Sequence, residues 1–200
     1  MCPFIESIRV EKGEVYNLSY HEQRMNRTRA HFGGDVNFLK LSAYVVPPSD
    51  LLHEVLKCRI VYAEDIIDVS FAPYQMRNVA SLRLVTADNI DYTYKSQDRK
   101  ELNELFAQKG DADEILVVKN GYLTDTSIAN IALYDGNSWF TPGQPLLEGT
   151  KRAELLDKKR IKMKDIKAES IGSYSHIMLF NAMIDWGKIL IPVNQKNIVL

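Results

Sequence analysis

A chain of 200 residues, 46% hydrophobic and 26% charged, has ordinary globular composition and enough apolar material for one compact unit or two small lobes. Twenty-five basic against twenty-six acidic side chains leave a formal charge of −1, so neither a nucleic acid nor a membrane surface is expected as a partner. The two cysteines, Cys2 and Cys58, belong to no CxxC or His-linked pattern. With no apolar run of signal or membrane-spanning length, reduced thiols in a cytoplasm are the expectation.

In chain order, residues 4–10 alternate in the manner of a half-buried strand. Ser19 offers an N-cap for a polar, charged helix over about 20–30, stopped by Gly33-Gly34. Pro47-Pro48-Ser49-Asp50 punctuates the chain and predicts a second helix to about Lys57. Residues 59–63 and 66–71 read as strands, and Ala72-Pro73-Tyr74-Gln75-Met76 breaks the pattern. Beyond it, 80–85 and 90–94 read as strands and 97–108 as a helix closed by Gly110.

The next part turns strongly β. Residues 114–118 meet Leu123 through Asn120-Gly121, and 130–134 meet Trp139-Phe140 through Asp135-Gly136, both hairpin signals. A helix from Thr150 to about Lys158 follows Gly149, and 176–180 and 189–193 read as closing strands. The sum is an α+β protein. Its divisions are a small first lobe over 1–72, a linker over 73–77 and a larger, more β-rich lobe over 78–200.

Few residues point to chemistry when taken singly. Lys95 follows the strand-like run Asp91-Tyr92-Thr93-Tyr94, where a partly desolvated amine would form a Schiff base, although a lone lysine reads first as surface. Arg24, on the helix bearing His21-Glu22-Gln23-Arg24-Met25-Asn26-Arg27, offers a planar fork for phosphate; taken alone, a solvent-facing, salt-bridged helix is the first reading. Gly149-Thr150-Lys151-Arg152 opens a helix, so its backbone N–H groups and dipole suit a phosphate, as every helix start does to some degree. Asp125, in Thr124-Asp125-Thr126-Ser127, has an ordinary Asx-turn explanation. Asp111, Asp113 and Glu114 lack calcium-loop spacing, the four histidines form no metal pair, and no metal is expected. Glycine-rich nucleotide motifs of the GxGxxG or P-loop kind are absent.

Order and spacing say more. Ile5-Glu6-Ser7-Ile8-Arg9 is followed by His21-Glu22-Gln23-Arg24-Met25, then Tyr94-Lys95-Ser96-Gln97-Asp98-Arg99. Ala112-Asp113-Glu114-Ile115-Leu116 leads to Asn120-Gly121-Tyr122-Leu123-Thr124-Asp125 and Asn130-Ile131. Trp139-Phe140-Thr141-Pro142 continues into Leu147-Glu148-Gly149-Thr150-Lys151-Arg152, then Phe180-Asn181-Ala182-Met183 and Ile191-Pro192-Val193. This succession, over nearly the whole chain, resembles the class IV aminotransferase family of fold-type IV pyridoxal 5'-phosphate (PLP) enzymes. That family includes branched-chain and D-amino-acid aminotransferases and aminodeoxychorismate lyase.

The resemblance implies a two-lobed fold, with a small α/β first lobe and a β-rich pseudo-barrel second lobe. Lys95 would carry PLP as a Schiff base and then move the substrate proton. Arg24, the N–H groups of Thr150 and Lys151, and the Asn181-Ala182 turn would hold the phosphate. Asp125 stands where the family places glutamate against the pyridine nitrogen; one methylene shorter, it requires a closer backbone or a bridging water. Lys95-x-x-Asp98-Arg99 and Asn181-Ala182-Met183 are similar to the lyase pattern, with Arg99 facing the cofactor's phenolic oxygen or a substrate carboxylate, or else lying on a helix surface. A lyase converting 4-amino-4-deoxychorismate to 4-aminobenzoate and pyruvate leads, ahead of an amino-acid aminotransferase and a catalytically silent module of the same fold. A homodimer and a small-molecule amine or amino-acid substrate are the partners implied.

Overall fold

The computed structural model describes residues 2–34, 37–49 and 53–199. It falls into two units, Met1–Met76 with Tyr94–Asp98, and Arg77–Thr93 with Arg99–Leu200. Ala72 and Pro73 finish a strand, the first break between the units comes after Met76, and 94–98 returns to the first unit.

In the first unit, β1 (Phe4–Glu11), β2 (Glu14–Val15), β3 (Val55–Tyr62) and β4 (Ile66–Pro73) form an antiparallel sheet in the order β2-β1-β3-β4. The period of two places Phe4, Glu6, Ile8 and Val10 on one face of β1, and all four are buried. Three of them join Met25, Leu41, Leu56, Ile60 and Tyr62 in the core. Glu6 is the exception, a carboxylate on an apolar face.

Helix α1 (Leu18–Gly33) is entered through Asn17 in the left-handed region at φ 55°, so Ser19 lies inside the helix rather than capping it. Much of the polar sequence of α1 does not face solvent: His21, Arg24, Asn26, Thr28 and Arg29 are buried beside Met25, while Gln23, Arg27 and His31 are exposed. Asn26 brackets Leu39, accepting its N–H at 2.9 Å and donating to its carbonyl at 2.8 Å. Arg29 donates to the carbonyls of Asn37 and Glu64, and Glu22 accepts the Leu41 N–H. Satisfying the backbone of these returning loops is what a buried polar helix face does here.

The predicted helix to Lys57 is not formed where the chain is described. Val55–Lys57 begins β3, paired with β1 through Glu11↔Val55 and Arg9↔Lys57, and tertiary pairing overrides local propensity. Residues 50–52 of that helix lie outside the described residues. The predicted strand over 90–94 is likewise absent: the Asp91 carboxylate accepts the Thr93 N–H and hydroxyl, folding the segment into an Asx turn.

The second unit is built on two sheets. β5 (Leu82–Thr86), β6 (Glu114–Lys119), β7 (Tyr122–Thr126) and β13 (Ile198–Val199) run in the order β13-β5-β6-β7. β8 (Asn130–Tyr134), β9 (Trp139–Pro142), β10 (Lys162–Lys164), β11 (His176–Phe180) and β12 (Ile189–Pro192) run β10-β9-β8-β11-β12. Leu82, Leu116 and Leu123 from the first sheet share one core with Ile131, Leu133, Ile177 and Ile191 from the second.

The β6–β7 turn has positive φ at both Asn120 (52°) and Gly121 (80°), the primed geometry that suits strand twist. In the β8–β9 turn the Asp135 carboxylate caps the N–H groups of Asn137 and Ser138. Helix α2 (Lys100–Phe106) starts three residues later than the sequence predicts, and α3 (Thr150–Asp157) follows Gly149. Among the described residues no helix is long and apolar enough to cross a membrane.

Candidate functional site

The first unit assembles Glu6, His21, Arg24 and Lys95. Lys95 lies on a short extended segment along the edge of β1 that β3 does not occupy: its carbonyl accepts the Ile5 N–H at 2.9 Å, Ser96 bridges Phe4, and Gln97 N–H reaches Pro3. Tyr94 anchors that segment, stacking on His31 at 4.8 Å and packing edge-on against Phe32 and Phe4. Lys95 itself is half-buried.

Glu6 is the centre of this group. Its Oε1 accepts Arg24 Nε at 2.9 Å, and its Oε2 accepts Arg24 Nη2 at 2.5 Å and faces His21 Nδ1 at 2.6 Å. Burial pushes the Glu6 carboxyl up, but the Arg24 charge and the His21 hydrogen bond more than offset it and hold it at about 2. Burial pushes His21 down, against the pull of Glu6, with the Arg24 and Lys95 charges adding to the fall. A neutral His21 donating from Nδ1 to an ionised Glu6 fits both directions. Arg24 therefore presents its fork to a carboxylate within its own unit; the pair uses two of the five guanidinium N–H donors.

The second unit gathers the other sequence-derived residues, Arg99, Asp125, Thr150, Lys151, Asn181 and Ala182. Asp125, on β7, is buried. Its Oδ1 accepts Asn130 Nδ2 and its Oδ2 accepts the Leu147 N–H, both at 2.9 Å. Burial pushes the Asp125 carboxyl up to about 6, although the Leu147 N–H, the Asn130 amide and the Arg152 charge all pull it down. Arg152 is buried on α3, with Nη2 on the Pro142 carbonyl and Nε on the Thr141 hydroxyl.

The N–H groups of Thr150, Lys151 and Arg152 precede the first intrahelical bond of α3, from Ala153 N to the Gly149 carbonyl. The Lys151 ammonium bridges Glu154 at 2.9 Å and Asp185 at 2.7 Å. Asp185 follows the turn in which Asn181 Oδ1 accepts the N–H groups of Met183 and Ile184. The start of α3 and the Asn181-Ala182 turn, remote in sequence, are thereby held side by side. Asn181 Nδ2 also donates to the Ile128 carbonyl at 2.9 Å.

Arg99 adjoins the same loop, donating from Nη2 to the Ser127 carbonyl at 2.7 Å and from Nη1 to the Tyr92 hydroxyl at 3.2 Å. Arg99 is thus half-buried and engaged with its own unit, rather than lying on a helix surface. Glu114 meets this loop from the other side, its Oε1 3.4 Å from Ser127 N, while its Oε2 pairs with Arg77.

Reading the sequence assigned no role to Glu6, His21, Asn130 or Arg152. Glu6 had a signal, a lone carboxylate in the apolar phase of a strand. Asn130, five residues after Asp125, stood only as part of a motif.

The family model for amino-transferase class IV matches residues 66–190. An uncharacterized protein of Haemophilus influenzae is 35% identical over 185 residues, 92% of this chain and 98% of its own. A crystal structure from Haemophilus somnus, provisionally named a 4-amino-4-deoxychorismate lyase, is 36% identical, with a TM-score of 0.86 over 92% of this chain and 97% of that one. The PLP-bound form of a hypothetical aminotransferase from Mycobacterium tuberculosis shares the fold at 15% identity, with a TM-score of 0.75 over 94% of this chain and 80% of that one. The chain belongs to the class IV amino-transferase family of PLP-dependent enzymes.

Proposed function

We propose that this protein is a PLP-dependent lyase that converts 4-amino-4-deoxychorismate to 4-aminobenzoate and pyruvate. The observation that carries the cofactor reading is Asp125. The Asn130 amide, the backbone N–H groups of the 146–147 loop and a nearby arginine leave part of the burial cost of its charge uncompensated. A protonated pyridine nitrogen is the cation that would balance it. The donor set fits the rest of PLP: helix N–H groups at Thr150 and Lys151 and the Asn181-Ala182 turn suit a phosphate, as does the Arg24 guanidinium.

When bound, PLP would supply an electron sink for charge developing at the aminated carbon. The chain's own residues do the rest. Lys95 would be the amine that holds the cofactor covalently; freed when the substrate amine takes its place there, its Nζ would take the proton from the aminated ring carbon. Asp125 would keep the pyridine nitrogen protonated. The electron pair released by the C–H bond restores aromaticity as the enolpyruvyl C–O bond breaks, and a proton returned to the enolpyruvyl methylene completes pyruvate. Arg99, which donates to the Ser127 carbonyl, would face the cofactor's phenolic oxygen or a substrate carboxylate. The likeness to the Haemophilus somnus protein and the Lys95-x-x-Asp98-Arg99 spacing support lyase over transaminase chemistry.

A homodimer working in the cytoplasm, in the supply of 4-aminobenzoate for folate biosynthesis, belongs to the same proposal. The test is direct: PLP-loaded protein given 4-amino-4-deoxychorismate releases pyruvate. No pyruvate, together with conversion of amino acids to 2-oxo acids, would replace this reading with that of an aminotransferase, which family membership independently favours.

A further inference from the structure

Asn130 opens β8, opposite Phe180 of β11, and its side chain is spent within a small closed circuit. One Nδ2 hydrogen goes to Asp125 Oδ1 at 2.9 Å and the other to the Leu147 carbonyl at 2.8 Å. The Leu147 N–H returns to Asp125 Oδ2 at 2.9 Å. Both carboxylate oxygens are thus gripped, and rotation of the short Asp125 side chain is blocked.

The other end of the amide is equally constrained. A Cβ on Gly149 would lie 1.9 Å from Asn130 Oδ1 and 3.1 Å from its Cγ, far inside van der Waals contact. Gly149 is also the residue that caps α3. Its φ of −69° is open to any residue, so the close approach of Asn130 is what requires glycine.

We propose that Asn130 is the positioning residue that fixes Asp125 relative to the start of α3, and that Gly149 is glycine to admit it. The proposal rests on the reading of Asp125 as the partner of the PLP ring nitrogen. One amide would then set the spacing between the group that meets the ring and the helix start that meets the phosphate. Among the described residues the charge facing Asp125 is Arg152 from α3, itself within the field of Glu148; β8 contributes the Asn130 amide and the 146–147 loop its backbone N–H groups.

The experiment measures the affinity of PLP for the wild-type chain, Asn130→Ala and Gly149→Ala across pH, beside circular dichroism of each. Losing a hydrogen bond to a charged group is expected to weaken PLP roughly 10- to 100-fold in Asn130→Ala. The acid limb of affinity should also move to higher pH, because the amide favours the ionised carboxylate. Gly149→Ala should move both in the same direction. An unmoved limb in folded variants, even with weaker binding, describes a merely structural amide and overturns the proposal. If neither variant keeps its native dichroism, the wild-type apo protein decides: the Asn130 side-chain amide resonances must titrate with the Asp125 carboxyl, and a flat response overturns it. A wild-type chain that binds no PLP at any pH sinks the cofactor reading instead.

Discussion

Replacing Glu6 by glutamine tests whether the buried triad of the first unit is held by charge or by shape. The substitution keeps the size of the side chain and one carbonyl oxygen. It puts an amide NH2 where Oε2 now faces both Arg24 Nη2 and His21 Nδ1. Donor then meets donor, and the Arg24 guanidinium, with a side chain only 9% exposed, loses its counter-charge. The carboxyl is held at about 2 instead of 4.5; at about 1.4 kcal/mol per pH unit, this places roughly 3 kcal/mol in the ionised state. Removing one partner of a buried pair costs about 3–5 kcal/mol, the same range.

Because the folded carboxyl titrates below its unfolded value, its contribution is present above pH 4.5 and is lost as pH falls through about 2. Thermal unfolding at neutral pH should therefore show Glu6→Gln melting roughly 6–12 °C lower, at about 2–4 °C per kcal/mol for a chain of this size. The difference between the two proteins should shrink as both are taken to acid. A shift under about 2 °C at neutral pH, or a difference that does not narrow in acid, would refute the charge-held triad.

Three other outcomes follow from the same geometry. Lys95→Ala should lose covalent trapping of PLP by borohydride and slow pyruvate release by roughly 10³-fold, with little change in melting because the side chain is half-buried; retained trapping on another lysine would sink its assignment. Asp125 titrates at about 6 in the folded chain against 3.8 unfolded, so the stability of the apo protein relative to Asp125→Ser is greatest below 3.8 and falls as pH rises through about 6. Denaturant titrations on either side of that window check the sign. Gly121→Ala should cost about 1 kcal/mol in urea: φ is +80° and no atom lies within 4 Å of the added methyl, so a neutral result would mean that the turn relaxes.

What the sequence disclosed about the fold was its local chemistry. Asn120-Gly121 announces a two-residue turn because few residue pairs tolerate positive φ twice, and Gly149 ahead of Thr150 announces the start of α3. The failures have equally definite causes. α1 carries so many polar residues that it reads as a surface helix, but those residues bind backbone groups of Asn37, Leu39, Leu41 and Glu64 that no local pattern reveals. Val55–Lys57 reads as helix until β1 is present to pair with it. Asp91 ends the expected 90–94 strand by capping Thr93, and the chain then crosses to the edge of β1, which is what positions Lys95.

The candidate site was legible as residue types in register and not as a network. Arg24 stood out as a phosphate fork, but its engagement with Glu6 depends on a strand and a helix eighteen residues apart in sequence. The aspartate in the family's glutamate position left open a closer backbone or a water. The structure adds how the side chain itself is held. The two oxygens of Asp125 are held by Asn130, five residues on, and by Leu147, twenty-two residues on, and Asn130 can reach Asp125 Oδ1 and the Leu147 carbonyl together only because Gly149 has no side chain. A longer carboxylate would carry its oxygens past this grip. The short side chain, the amide and the glycine are therefore a matched set, and a substitution at any one of them is felt at the other two.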